Sequence, residues 1–192
     1  MTEFKGQITG LASPFLESWR MNIIKKYVTG GKILDFGCGR GRFVEILPFE
    51  NYLGVDIDSR NIDIAKVQYS RKKNIAFLTN EEFFQVDQKF DFIILSAVVE
   101  HFDDPKKRLE ELTNRLNVRG RIIITTPTEF GNKILLIGSK IKIFSKEAFE
   151  EHNQIFSKTD FIELSELLNL NLIEYFTFEF GMNQLAVLSR DN

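Results

Sequence analysis

A run of glycines and two acidic residues stand where an apolar strand would give way to a turn. Asp35-Phe36-Gly37-Cys38-Gly39-Arg40-Gly41 follows the apolar run at 32–36 and precedes a helix-like stretch at 42–47. Glycines permit a tight turn and let a ligand come close to the backbone, and a helix start offers unpaired N–H groups. Taken alone, such a turn also reads as a bland loop. Asp56 ends the next apolar run, roughly 20 residues after the first glycine, where a carboxylate can accept hydrogen bonds from ribose hydroxyls. Its competing reading is a turn or helix-cap carboxylate, a role open to Asp58 as well.

Two kinds of nucleotide-like cofactor suit this pairing. A dinucleotide fingerprint, Gly-x-Gly-x-x-Gly, needs a third glycine for close helix packing beside a pyrophosphate. Arg42 occupies that position, and the glycines fall instead at Gly37, Gly39 and Gly41. Asp35, two residues before the first, would repel a pyrophosphate and suit an amino-acid ammonium group. The contrast favours a sulfonium cofactor over a nicotinamide one.

The elements that must position these residues follow from the alternation of apolar runs and helix-like stretches. Runs at 32–36, 52–57, 75–78, 90–95 and 121–125 are separated by helical patterns at 42–47, 60–72, 81–84 and 105–116. Such alternation predicts a parallel sheet with helices on both faces. Near-continuous apolar strands such as Phe92-Ile93-Ile94-Leu95 suit its buried interior. Ser59 is the expected cap of the second helix, Asp104-Pro105 the start of the fourth, and Thr159 the cap of a C-terminal one. Gly120 marks a turn into the fifth strand. Phe176, Phe178 and Phe180 alternate onto one side of a strand at 172–180, and Gly181-Met182-Asn183 turns it into 185–188, a hairpin. Residues 1–30 look helical and would cover one edge or the cofactor mouth.

Bulk properties narrow the class. The 192 residues suit one domain spanning 1–192, with no linker or repeat. The longest apolar stretch, 92–99, is far short of the ~20 residues that span a bilayer. Residues 1–7 lack the basic start and apolar core of a signal peptide, and Cys38 has no internal disulfide partner, so a cytoplasmic location is expected. A net charge of −2 argues against extended nucleic-acid binding.

These residues resemble the class I methyltransferases that depend on S-adenosylmethionine, within the broad family of quinone-biosynthesis, sugar and small-molecule methyltransferases. The resemblance covers roughly residues 30–190. It is carried by Ile33 to Gly41, Gly54-Val55-Asp56-Ile57-Asp58, Phe90-Asp91-Phe92-Ile93-Ile94, Val99-Glu100-His101-Phe102-Asp103-Asp104-Pro105, Leu116 to Arg121 and Thr125-Thr126-Pro127, in that order. It implies a Rossmann-like three-layer α/β sandwich, its seven-stranded sheet mostly parallel with an antiparallel last strand. It also implies that Asp35, Gly37 and Gly39, in the turn closed by Gly41, hold the methionine part of the cofactor. Asp56 would bind the ribose and Ile57 would pack on adenine. Thr79, Asn80 and Glu81 are candidates to meet the adenine amine, Asn80 the favoured one, and Ser96 and Ala97 would line the methionine end.

The sulfonium methyl is already activated, so the protein's task is to align an acceptor with it. An oxygen acceptor also needs its proton removed, and His101, just past the fourth strand, is the expected base for a small-molecule O-methylation. The competing reading has the Glu100-His101 pair capping the next helix or orienting its loop. Some relatives use a similar pattern, here Glu100, His101 and His152, to hold a divalent metal. They carry an acidic residue where this chain has Ala97, so no metal is expected. The stretch 127–157 would build the acceptor pocket, with Phe15 and Trp19 able to close it; short-helix packing or a surface contact are its other readings. Cys38 reads as a small residue suited to the turn. A nicotinamide oxidoreductase, a non-catalytic S-adenosylmethionine-binding partner and an RNA 2′-O-methyltransferase are the alternatives. Arg42 and Asp35, the intact turn with Asp56, and the acidic balance stand against them in that order.

Overall fold

Strands apolar at nearly every position form the middle layer. The computed structural model describes residues 13–140 and 154–191. In chain order the elements are α1 (Ser13–Lys25), β1 (Lys32–Phe36), β2 (Asn51–Asp56), α2 (Ser59–Gln68), β3 (Ile75–Thr79), α3 (Asn80–Phe84) and β4 (Phe90–Ser96). There follow α4 (Pro105–Thr113), β5 (Leu116–Pro127), α5 (Glu129–Lys140), α6 (Lys158–Leu167), β6 (Asn171–Phe178) and β7 (Asn183–Ser189). The seven strands lie in the order β3-β2-β1-β4-β5-β7-β6. β1 to β5 pair in parallel, and β7 runs antiparallel to both its neighbours, as expected.

Alternate residues of each strand point to opposite faces, and both faces are dry. On one, Leu34, Phe36, Ile93, Leu95, Ile122 and Ile124 pack with Leu109 and Leu112 of α4 and Phe161 and Leu164 of α6. On the other, Ile33, Tyr52, Ile94 and Ile123 pack with Ile24 of α1 and Ile62 and Ala65 of α2. The strand order reverses between β1 and β4, so the chain leaves their carboxyl ends in opposite directions and opens a crevice there. Among the described residues no helix is long and apolar enough to cross a membrane.

Several local expectations are corrected. The stretch at 42–47 forms only a 3₁₀ turn, Arg42–Glu45. Pro48 denies a longer helix a donor and biases the residue before it away from helical geometry. Asp58, not Ser59, caps α2 by accepting from the Arg60 amide, and the helix ends at Gln68, short of 72. Ser157, not Thr159, caps α6, in a reciprocal capping box with Asp160. In both cases the helix starts one or two residues earlier than the apolar pattern, because the cap precedes the first inward-facing side chain. Asp104 and Pro105 do start α4 as expected. Gly120 lies inside β5, where Arg119 takes φ 63° and the pairing with β4 shifts register. That irregularity lets the strand begin at Leu116.

The three phenylalanines of the hairpin also part company. Phe176 and Phe178 pack on the α1 face, while Phe180 is 82% exposed. β6 stops at Phe178, and Glu179 and Phe180 take φ of 52° and 57°. Non-glycine residues in that region each cost on the order of 1–3 kcal/mol. Within the expected helical cap, α1 lays Met21, Ile23 and Ile24 on the sheet; residues 1–12 lie outside the described residues, as do 141–153 of the expected acceptor segment.

Gly54 illustrates how tightly β2 is packed beneath the glycine turn. A Cβ there would stand 2.6 Å from the Phe77 ring and 2.9 Å from Cys38 Sγ. Gly54→Ala is expected to lower stability by about 1–3 kcal/mol through overpacking. Urea unfolding should show a lower midpoint with an unchanged slope.

Candidate functional site

The turn 37–41 is tied to the neighbouring strand by its own backbone. The Gly37 and Cys38 amides both donate to the Val55 carbonyl, at 2.7 and 2.9 Å. Gly37, Gly39 and Gly41 have φ of +82°, +53° and +74°, which favour glycine. Two of the three are also forced by contacts within the protein. A Cβ on Gly37 would meet Val98 Cγ2 at 2.3 Å, and one on Gly41 would meet the Phe77 ring at 2.6 Å. Gly39 differs, because a Cβ there would meet nothing within 4 Å. Its α-carbon faces open space.

Asp56 sits directly against that glycine. Its Oδ2 accepts from the Gly39 amide at 2.7 Å and its Oδ1 from the Asp58 amide at 2.9 Å. Each oxygen keeps a second lone pair for a ligand hydroxyl. Ile57, the next residue, is 66% exposed despite its apolar side chain. The cap reading of Asp56 is excluded by Asp58 performing that role. Cys38 is buried, its thiol is pushed far up by burial and then by Asp35 and Asp56, and it serves as packing.

Asp35 lies beneath the turn and has almost no exposure at 1%. It accepts a hydrogen bond from the Tyr52 hydroxyl. Burial pushes its pKa up to about 7, with Asp56 adding to the rise and Tyr52 opposing it. In this geometry its side chain supports the turn from below.

At the adenine end the structure separates the three candidates. The Thr79 hydroxyl is spent capping α3, in a reciprocal box with Glu82. Glu81 is exposed. Asn80 is half-buried, and its Oδ1 is buried without a hydrogen-bond partner. An unpaired amide oxygen is an acceptor awaiting an N–H donor.

β4 ends at Ser96, and Ala97 takes φ 56° while its amide donates to the Thr125 carbonyl at 2.9 Å. Val98 then packs on Gly37, and a 3₁₀ turn carries Val99, Glu100 and His101. His101 is half-buried. Glu100 is 1% exposed, and burial raises its pKa, opposed by His101, its own amide, Arg20 and Thr126. The Thr126 hydroxyl lies near it, yet neither group completes a hydrogen bond of normal geometry. The competing reading of the Glu100-His101 pair as the cap of the next helix is set aside, since Asp104 caps it as expected. His152 lies outside the described residues, among which no three acidic, histidine or cysteine groups are placed to hold a metal.

Sequence reasoning missed a further set of polar residues at this end of the sheet. Arg20 of α1 holds down the pKa of Glu100 and of Glu179 in the β6–β7 turn, and Asn183 of β7 donates to Glu179. Four separate elements supply them, so no spacing along the chain signals the group. Trp19, flagged as able to close the acceptor pocket, packs between Phe15 and Phe180.

The Asp35 carboxyl makes a prediction about pH. A folded-state pKa raised above the unfolded value means the folded chain keeps a proton that the unfolded chain releases. Stability from this group is full below about pH 4 and is lost as pH rises toward about 7. Asp35→Asn keeps an acceptor for Tyr52 and removes the titration. Thermal unfolding of the wild type should fall from pH 5 to pH 8 more steeply than that of the variant.

The comparisons with known proteins fit this geometry. Residues 12–175 match the methyltransferase domain family. An uncharacterised protein of Methanocaldococcus jannaschii is 34% identical over 101 residues, 53% of this chain and 47% of that protein. A ubiquinone biosynthesis O-methyltransferase of Bartonella tribocorum is 32% identical over 101 residues, 50% of this chain and 40% of that protein. The chain thus spans about half, or less, of the length of the curated relatives it matches. In fold it is similar to an S-adenosylmethionine-dependent methyltransferase of Clostridium acetobutylicum, with a TM-score of 0.67 at 15% identity, covering 92% of each chain. By its matched domain the chain belongs to the methyltransferase domain family, and it shares the fold of an S-adenosylmethionine-dependent methyltransferase.

Proposed function

We propose that this chain binds S-adenosylmethionine along the carboxyl ends of β1, β2 and β4 and transfers its methyl group to an oxygen of a small molecule. The observation that carries the reading is the open α-carbon of Gly39 held against the Asp56 carboxylate, beside an exposed Ile57. In this reading Asp56 takes the ribose hydroxyls, Ile57 lies on the adenine ring, and the unpaired Asn80 Oδ1 accepts from the adenine amine. Gly37, Gly39 and Gly41 keep the turn low enough for the methionine part to cross it toward Ser96 and Ala97. Asp35 acts from beneath, placing negative charge under a cofactor that carries two cationic groups. S-adenosylmethionine supplies an activated methyl group when bound; the chain's own residues bind, orient and exclude water.

Calorimetry tests the cofactor assignment. S-adenosylhomocysteine should bind the wild type and NADH should not. Asp56→Ala should weaken S-adenosylhomocysteine binding by about tenfold or more, the loss of a charged hydrogen-bonding partner. Equal affinity in the two proteins sinks the assignment.

His101 is the proposed base, lying next to the buried Glu100 and just past the methionine end of the cradle. The oxygen acceptor is supported by the ubiquinone biosynthesis O-methyltransferases to which half of the chain is similar. A methyl-release assay across phenols, sugar nucleotides and quinone precursors should find a substrate. His101→Gln should then lower kcat by roughly 10²–10⁴, as for a lost general base, with unchanged S-adenosylhomocysteine affinity. A variant with full kcat would remove His101 from the chemistry.

A further inference from the structure

The sheet ends on two strands of different character. β6, at one edge, carries the exposed Glu174 at a register shift against β7. A charge and a bulge are common guards against pairing with another chain. β3, at the other edge, reads Ile75-Ala76-Phe77-Leu78-Thr79, with no charge and no proline. It runs in unbroken register along β2, and Ala76 within it is exposed.

The pairing with β2 fixes which main-chain groups of this edge point outward. The Tyr52 amide donates to the Asn74 carbonyl at 2.9 Å, and Tyr52 stands level with Ile75. In a parallel ladder this turns the groups of Asn74, Ala76 and Leu78 toward β2, and those of Ile75, Phe77 and Thr79 outward. The Thr79 amide agrees, donating to Glu82 Oε2 at 2.8 Å. Ile75 and Phe77 each keep an N–H and a C=O that no strand among the described residues pairs. Such a row is a template for one more strand.

Charge decides which strand. Exposed Arg71, Lys72 and Lys73 precede β3, and exposed Glu81 and Glu82 follow it. Lys72 is also paired with Glu45, and Glu82 with the Thr79 amide. A second copy laid parallel would set basic run against basic run. Laid antiparallel, it sets each basic run against the other copy's acidic pair, so the edge is complementary to itself. A register centred on Ala76 places Ile75 opposite Phe77 twice, and each of those pairs can exchange two hydrogen bonds. The two Ala76 residues then meet at the close, non-hydrogen-bonded position, which suits a small side chain. Arg71 and Glu81, each five residues from Ala76, come level across the axis. A cleft of about 280 Å³, lined by Lys66, Tyr69, Lys72 and Phe77 among others, lies beside the start of β3, where the other copy's Glu81 arrives.

We propose that two copies of this chain pair through antiparallel β3 strands about a two-fold axis at Ala76, joining their sheets into one.

Sedimentation equilibrium at increasing protein concentration tests this pairing. The wild type should approach twice the 22.3 kDa of one chain. Ala76→Lys and Ala76→Glu set like charges face to face, and each alone should weaken self-association by about tenfold or more. An equimolar mixture of the two variants sets lysine against glutamate and should restore the doubled mass. Circular dichroism should show both variants folded, since Ala76 is exposed. A monomeric wild type overturns the proposal, as does self-association that both variants keep. A mixture that stays monomeric also overturns it, because charge at Ala76 would then be acting through the fold and not across an axis.

Discussion

The carbonyl of Val55 accepts two successive amides, those of Gly37 and Cys38, and the organisation of the crevice follows from that junction. It pulls the exit of β1 sideways onto β2, so the chain cannot continue straight into a helix. Positive φ at three glycines is the geometric consequence. Asp56, next in β2, is thereby brought under the Gly39 amide, and one carboxylate both closes the turn and faces the space above it. The Gly37 contact with Val98 then ties the same turn to the segment after β4. A single backbone crossing thus sets the relative positions of ribose, methionine and base candidates.

Acidity is the second organising feature of this end of the sheet. Asp35, Glu100 and Glu179 are all buried, and burial raises the pKa of each. A chain selected only for stability would replace such groups with apolar ones of similar size, since desolvated charges are a poor source of stability. Asp35 has Tyr52 to share its burden, whereas Glu100 and Glu179 keep unpaired oxygens. The first is a support of the turn.

Backbone strain falls partly at the same end of the sheet. Asn74 and Asn169 take positive φ at little cost, as asparagine does in turns. Arg119, at the register shift in β5, and Ala97, Glu179 and Phe180 have no such excuse, and of these Ala97 borders the crevice and the last two form the β6–β7 turn. Positions of this kind persist when surrounding contacts hold them, and here the Ala97 amide is held by Thr125 and the hairpin by the Gly181 bond to Phe178.

The elements and the glycine turn were legible because their signals are local. Apolar runs that stay apolar on both faces mark parallel strands, and glycine spacing with Asp35 and Asp56 is written in adjacent residues and one repeat unit. Short-range competition blurred only the details, such as Pro48 cutting the first helix to a single turn and Asp58 and Ser157 capping ahead of the residues expected. The sequence by itself therefore determined the layered sheet, the family and the glycine turn that is proposed to cradle the cofactor. Tertiary structure alone decided that Asp35 is sealed beneath the turn and that Asn80 rather than Thr79 keeps a free oxygen. It also decided that Arg20 comes near both Glu100 and Glu179, and that Asn183 meets Glu179. The reason is physical: residues far apart in the chain become neighbours only through the strand order and the hairpin that folds back against β5, and no periodicity encodes that meeting.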